Sequence, residues 1–158
     1  RIEEFTSGGF RELIGDPMPG DRPARLLFCS GKVYYDLLAG REERSAENVA
    51  IVRLEQMYPF PETEVRETLE RFAGATEILW VQEEPRNMGP WRFMREYIQP
   101  LLEESGRALR YAGRPESAST AAGSLKRHNQ EQAQLIEDAF APAGATRRPR
   151  AVPKRKAR

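Results

Sequence analysis

Apolar residues along this chain alternate between short continuous runs and runs at helical spacing, the pattern of a layered α/β fold. Arg25-Leu-Leu-Phe-Cys-Ser30 is nearly all apolar, as in a strand covered on both faces. Val33, Tyr34, Leu37 and Leu38 follow at steps of three and four, predicting a helix that starts near Gly31 with Ser30 as its cap. Residues 49–54 and 77–81 read as two more buried strands. Tyr58-Pro-Phe-Pro61 ends the first, because a proline turns the residue before it away from helical angles. Pro61 then opens a helix with Glu62 and Glu64 at its positive end, an inner stripe of Val65, Leu69, Phe72 and Ala73, and Gly74 as C-terminal cap.

Gln82-Glu-Glu-Pro85 reads as chain leaving its strand, and Asn87-Met-Gly-Pro90 as a turn. A helix over 91–104, kinked or interrupted at Pro100, comes next. A strand over 108–112, a loop of small residues to 123 and a helix over 124–140 complete the pattern. Residues 10–14 are a weaker strand, followed by a loop rich in Pro and Gly. Strands alternating with helices predict a three-layer α/β/α fold with a mostly parallel sheet. Three segments result: a lead-in over 1–24 with a short edge strand, an α/β domain over 25–140 and a tail over 141–158.

Composition narrows the function. The 158 residues suit one domain, with 39% hydrophobic residues for its core. The net charge of +1 hides a segregation: seven Lys or Arg and no acidic residue lie beyond residue 142. Removing those seven leaves 18 basic against 24 acidic residues, a body of −6. An acidic body with a basic tail that lacks aromatic residues is not expected to read nucleic acid. No apolar run approaches the roughly 18 residues of a membrane span. The single Cys29 and single His128 exclude an internal disulfide and a Cys/His metal cluster within one chain, and fit a reducing compartment. An opening Arg1 in place of Met suggests a trimmed product or a piece of a longer polypeptide.

Candidate chemistry falls on turns. Ser30-Gly-Lys32 sits where a strand gives way to a helix, the place where α/β folds bind phosphate. It is not a Walker A loop, because Leu26 replaces the first glycine and Val33 the hydroxyl, so a plain helix cap competes with an anion site. Glu83 and Glu84 could act as a base or brace an interface, but adjacent residues of an extended stretch point apart and do not make an acid–base pair. Arg110, Arg114, Ser117, Ser119 and Thr120 border the small-residue loop, where they could hold a carboxylate or phosphate or knit an interface. His128 reads as a solvated or half-buried helix residue and Cys29 as an inert buried thiol.

Four segments in register carry a resemblance. They are Cys29-Ser-Gly-Lys-Val-Tyr-Tyr-Asp-Leu-Leu38, Ile51-Val-Arg-Leu-Glu-Gln-Met-Tyr-Pro-Phe-Pro61, Gln82-Glu-Glu-Pro-Arg-Asn-Met-Gly89 and Tyr111-Ala-Gly-Arg-Pro115. Together they resemble the C-terminal region of the E1 component of 2-oxoglutarate dehydrogenase, over about residues 25–140 with a weaker match over 2–14. The resemblance implies a transketolase-like C-terminal domain with a five-stranded mixed sheet, making the strand near Ile14 an antiparallel edge. It implies a parent that oxidatively decarboxylates 2-oxoglutarate with thiamine diphosphate and Mg2+, and passes a succinyl group to the lipoyl arm of E2. The Gly-Asp-Gly motif of such sites is incomplete here, since Pro17 follows Gly15-Asp16 and Arg22 follows Gly20-Asp21. No catalytic, cofactor or metal residue is therefore expected in this chain. The expected partners are the upstream domains, the dimer mate and, through the parent, E2. The expected compartment is the bacterial cytoplasm or the mitochondrial matrix. Because such enzymes respond to nucleotides and acetyl-CoA, a regulatory binding module using Ser30, Lys32, Arg110 and Arg114 is the alternative.

Overall fold

A computed structural model describes residues 6, 8–17 and 22–142. The basic tail beyond residue 142 and the Gly20-Asp21 pair lie outside the described residues. Among the latter, strands β1 (Leu13–Ile14), β2 (Arg25–Cys29), β3 (Val49–Leu54), β4 (Glu77–Pro85) and β5 (Leu109–Arg114) form one sheet in the order β1-β3-β2-β4-β5. β2 pairs in parallel with β3 and β4, and β4 with β5, while β1 runs antiparallel along β3. The mostly parallel sheet and its antiparallel edge agree with the sequence reading, although the edge strand is only two residues long and Phe10 is exposed.

Alternation along each strand builds two cores. Leu26, Phe28, Val52, Ile78 and Trp80 face helices α2 (Glu62–Arg71) and α3 (Trp91–Glu103), where Val65, Leu69, Met94 and Ile98 meet them. Leu27, Cys29, Ile51, Leu79 and Val81 face α1 (Val33–Glu43) and α4 (Leu125–Phe140), through Val33, Leu37, Leu135 and Ile136. Each inner strand is therefore buried on both sides, which is why it reads as a continuous apolar run. Where α1 meets α4 the Ile136 side chain fills the space beside Gly40: a Cβ there would stand 2.8 Å from Ile136 Cγ2.

Buried charges close the amino ends of the strands. Arg25 is 5% exposed, and its Nε donates to Glu77 at 2.6 Å. Arg25 Nη1 also caps the Ala139 carbonyl of α4 at 2.9 Å, and Arg110 approaches the other oxygen of Glu77 at 3.3 Å. Asp16, 2% exposed, extends the line of β1 by accepting from the Ile51 amide and from Arg41, each at 2.5 Å.

Several local expectations are corrected. Ser30 does not cap α1: Gly31 turns the chain at φ +68°, and the helix begins at Val33 with no side-chain cap. Gly74 is not the cap of α2, which ends at Arg71; Phe72 N–H returns to Thr68 O at 3.0 Å, and Ala73 is exposed. β4 continues through Gln82-Glu-Glu-Pro85, where the sequence suggested an exit, with a register shift against β5. α3 passes Pro100 without interruption. Ser124 does cap α4, accepting from Arg127 N at 3.3 Å.

Candidate functional site

The chain runs from central β2 to β3 on one side and then crosses back to β4 on the other. Adjacent strands that send their chains to opposite sides leave a crevice beyond their carboxyl ends, the usual ligand position in open α/β sheets. Ser30-Gly-Lys32 leaves β2 at that point, and Glu83 stands at the matching end of β4. Lys32 Nζ lies 3.0 Å from Glu83 Oε1 and 3.7 Å from Asp36 Oδ2, bridging the two strand ends. The Glu83 hydrogen bond raises the Lys32 ammonium above its ordinary range, so Lys32 stays charged.

The network continues into α4. Asp36 Oδ2 accepts from Gln132 Nε2 at 2.8 Å, and Gln132 Oε1 accepts from Arg114 Nη2 at 3.3 Å. Arg114, its side chain only 8% exposed, also donates to His128 Nδ1 at 3.1 Å. A guanidinium only donates, so Nδ1 accepts and the ring proton sits on Nε2. Arg114 Nε has no hydrogen-bond partner and faces Glu131 Oε2 at 3.8 Å. An open cavity of about 460 Å³ lies here, between Glu83, Glu84, Arg114 and His128 and the small residues Ala121 and Ala122.

Lys32, Glu83 and Arg114 thus share one polar network, joined by Asp36, Gln132, His128 and Glu131, which sequence reasoning did not connect. Other candidates separate. Arg110 lies farther back on β5, on Glu77. Glu84 exposes its side chain, while its carbonyl accepts from Gln82 and Tyr111. Ser117 and Ser119 hold their own loop: Ser117 Oγ accepts from Ser119 N at 3.1 Å, and Ser119 Oγ donates to Ala121 O at 3.0 Å. Asn87 clamps that loop by exchanging two hydrogen bonds with the Ser117 backbone. Ser30 is half-buried beside Lys32.

Gln82 was missed as an organiser. It is 2% exposed, accepts from Trp80 Nε1 at 3.0 Å, and its Nε2 reaches the carbonyls of Glu84, Pro85 and Met88. A polar residue two places after a buried Trp was the available signal, since an indole N–H in a core needs an acceptor. Burial pushes the Tyr111 phenol up, keeping it a donor to the carbonyls of Glu84 and Arg114. Cys29, fully buried, has its thiol raised from 9.0 to about 12 by desolvation and donates to Val52 O.

The arrangement braces strands and loops; it presents no activated nucleophile. Among the described residues no three His, Cys, Asp or Glu side chains gather where they could hold a metal ion. Asp16, the acid of the incomplete Gly-Asp-Gly pattern, is committed to Arg41 and the Ile51 amide. These residues do not fit a metal and pyrophosphate site. No described helix is long and apolar enough to cross a membrane.

Residues 1–140 match the protein family described as 2-oxoglutarate dehydrogenase C-terminal. The 2-oxoglutarate dehydrogenase E1 component of Cupriavidus necator is 44% identical over 142 residues, covering 89% of this chain and 15% of that protein. The E1 component of Haemophilus influenzae is 43% identical over 141 residues, covering 88% and 15%. The mitochondrial 2-oxoglutarate dehydrogenase of Caenorhabditis briggsae is 44% identical over 145 residues, covering 88% and 14%. The chain therefore spans only 14–15% of the length of these relatives. Among solved structures, a split-gene transketolase in an inactive β4 tetramer superposes with a TM-score of 0.56. That match covers 82% of this chain and 41% of the other at 11% identity, a likeness of fold alone.

Proposed function

The chain belongs to the 2-oxoglutarate dehydrogenase C-terminal family, and from that premise we propose that it is the C-terminal assembly domain of an E1 enzyme. The parent on this reading oxidatively decarboxylates 2-oxoglutarate in the tricarboxylic acid cycle and succinylates the lipoyl group of E2. Thiamine diphosphate and Mg2+ belong to the upstream domains, and this chain contributes no step of the chemistry. One observation supports an assembly role above others: the polar groups at the carboxyl ends of β2, β4 and β5 are bound mainly to one another, Lys32 to Glu83 and Arg114 to His128 and Gln132, with the Arg114 Nε left without a hydrogen bond. Such a network fixes the shape of a surface that other domains can pack against. Those other domains are the upstream part of the chain and its dimer mate. The compartment is the bacterial cytoplasm or the mitochondrial matrix, in line with the bacterial and mitochondrial relatives.

The test uses this chain with and without the upstream part of its polypeptide. The chain alone is expected to show neither thiamine diphosphate binding nor 2-oxoglutarate turnover, and to restore turnover when added to the separately expressed upstream part. Turnover by the chain alone, or full activity of the upstream part without it, would overturn the reading. A regulatory nucleotide or acetyl-CoA module gains little from the geometry, because Lys32, Arg110 and Arg114 face Glu83, Glu77 and Glu131 rather than one another.

A further inference from the structure

A second surface lies on the free edge of the sheet, between β5 and α3, away from the Lys32–Glu83 crevice. It is an open groove of about 530 Å³ floored by Trp91 and Tyr111, whose ring centroids are 5.0 Å apart. Three guanidiniums line it: Arg86, Arg95 and Arg110. Arg86 lies over the Tyr111 ring at 5.4 Å and near the Trp91 ring at 6.0 Å. A guanidinium at this range from two aromatic rings is drawn to them by cation–π attraction. Arg110 is partly neutralised by Glu77, but neither Arg86 nor Arg95 has a carboxylate within 4.0 Å among the described residues. Glu103, at the far end of the groove, accepts from Gln99 at 3.0 Å and keeps its negative charge there, so the positive charge gathers at Arg86 and Arg95. A body that is net acidic by composition therefore concentrates unpaired positive charge in one aromatic-floored groove.

The geometry points to a docking groove for an extended acidic segment of a partner polypeptide. Length favours this over a compact anion. The α3 side of the groove runs from Trp91 to Glu103, about 18 Å at 1.5 Å per residue, or about five residues of extended chain. Charge excludes the chain's own tail as occupant, because residues 143–158 carry seven basic and no acidic residues. Carboxylates of such a segment suit the Arg86 and Arg95 guanidiniums that line the groove, by the two-pronged contact Arg favours.

Titrating a fluorescein-labelled glutamate-rich peptide into the full 158-residue chain tests this, with the Trp91 indole N–H followed by 15N NMR. Arg86→Gln combined with Arg95→Glu is expected to weaken binding by about tenfold or more. Arg92→Glu, an exposed charge change on α3 outside the groove, is expected to leave binding within about twofold. Far-UV circular dichroism confirms that each variant is folded. Peptide binding that leaves Trp91 unmoved and ignores Arg86→Gln/Arg95→Glu would mean capture by the basic tail, and would overturn the proposal. So would occupancy of the groove by AMP or inorganic phosphate without the peptide, which would make it a small-anion site. Concentration-dependent dimerisation lost in the double variant, with no peptide binding, would reassign the groove to a second copy of this chain.

Discussion

The two ends of the parallel strands handle charge differently. At the amino ends, Glu77 sits between the guanidiniums of Arg25 and Arg110, and Arg25 is buried against the last turn of α4. At the carboxyl ends, Lys32 meets Glu83 with its side chain 67% exposed, and Gln132 and Arg114 continue the network under an open cavity. A buried ion pair locks the structure, because either partner left alone would be an uncompensated charge in a poor solvent. A half-exposed pair stabilises little and leaves its surface available to other groups. The amino end is built as a closure, whereas the carboxyl end is built as a shaped surface. That division supports the assembly role better than any single residue does.

Breaking the closure should have the largest effect. Glu77→Ala leaves Arg25 buried without its carboxylate, and is expected to destabilise the chain by about 3 kcal/mol or more in urea denaturation. Replacing Arg25 and Glu77 together with Met and Leu should recover part of that loss, since no buried charge is then stranded. A single variant no worse than a surface substitution would remove the distinction between the two ends.

Gln82→Ala comes next. It strips Trp80 of its acceptor and the Met88 carbonyl of its donor, while Glu84 O keeps Tyr111 and Pro85 O keeps Met88 N, with an expected loss of about 2 kcal/mol. The loss should be local, so that amide hydrogen exchange speeds up over residues 84–89 more than in β2 or β3. Uniform acceleration would show that Gln82 supports the whole sheet rather than the carboxyl end of β4.

These two variants also mark where sequence reading stops. β2, β3 and the first half of β4 were legible because double-sided burial demands continuous apolar residues. The second half of β4 was not, since Gln82-Glu-Glu-Pro85 looks like a loop until one sees the amide of Gln82 satisfying backbone carbonyls. The start of α1 was misplaced because Gly31 turns at positive φ, which spacing alone does not reveal. Lys32, Glu83 and Arg114 were each visible as candidates, but their common network passes through Asp36 and Gln132, ninety-six residues apart in sequence. The closure was invisible for the same reason: Asp16 with Arg41 and Arg25 with Glu77 are long-range pairs.

Cys29 tests how deep the open end reaches, because it is the last residue of β2 below the crevice. Its folded thiol is raised from 9.0 to about 12, so folding favours the protonated form. That contribution is complete below pH 9 and is lost as pH rises from 9 toward 12, where the unfolded chain gains from ionising. Urea midpoints should therefore fall above pH 9 in the native chain, and less in Cys29→Ala measured against its own neutral-pH value. Labelling by a disulfide reagent at pH 8 should be slow in buffer and fast in urea. Rapid labelling of the folded chain would place water at Cys29 and blur the boundary between open surface and core.

The smallest expected effect belongs to Lys32→Ala, and its smallness is informative. Lys32 touches two carboxylates, yet its exposure lets water and salt screen both contacts. The expected loss is below about 1 kcal/mol, and smaller still in high salt. Glu77→Ala should keep most of its effect in high salt, because buried charges are screened far less. If Lys32→Ala instead lost as much as Glu77→Ala and salt did not change it, the bridge between β2 and β4 would be part of the closure. If the two respond to salt as differently as their burial requires, the carboxyl end is a surface held in shape at little energetic gain, free to be covered by another domain as the proposed assembly role requires.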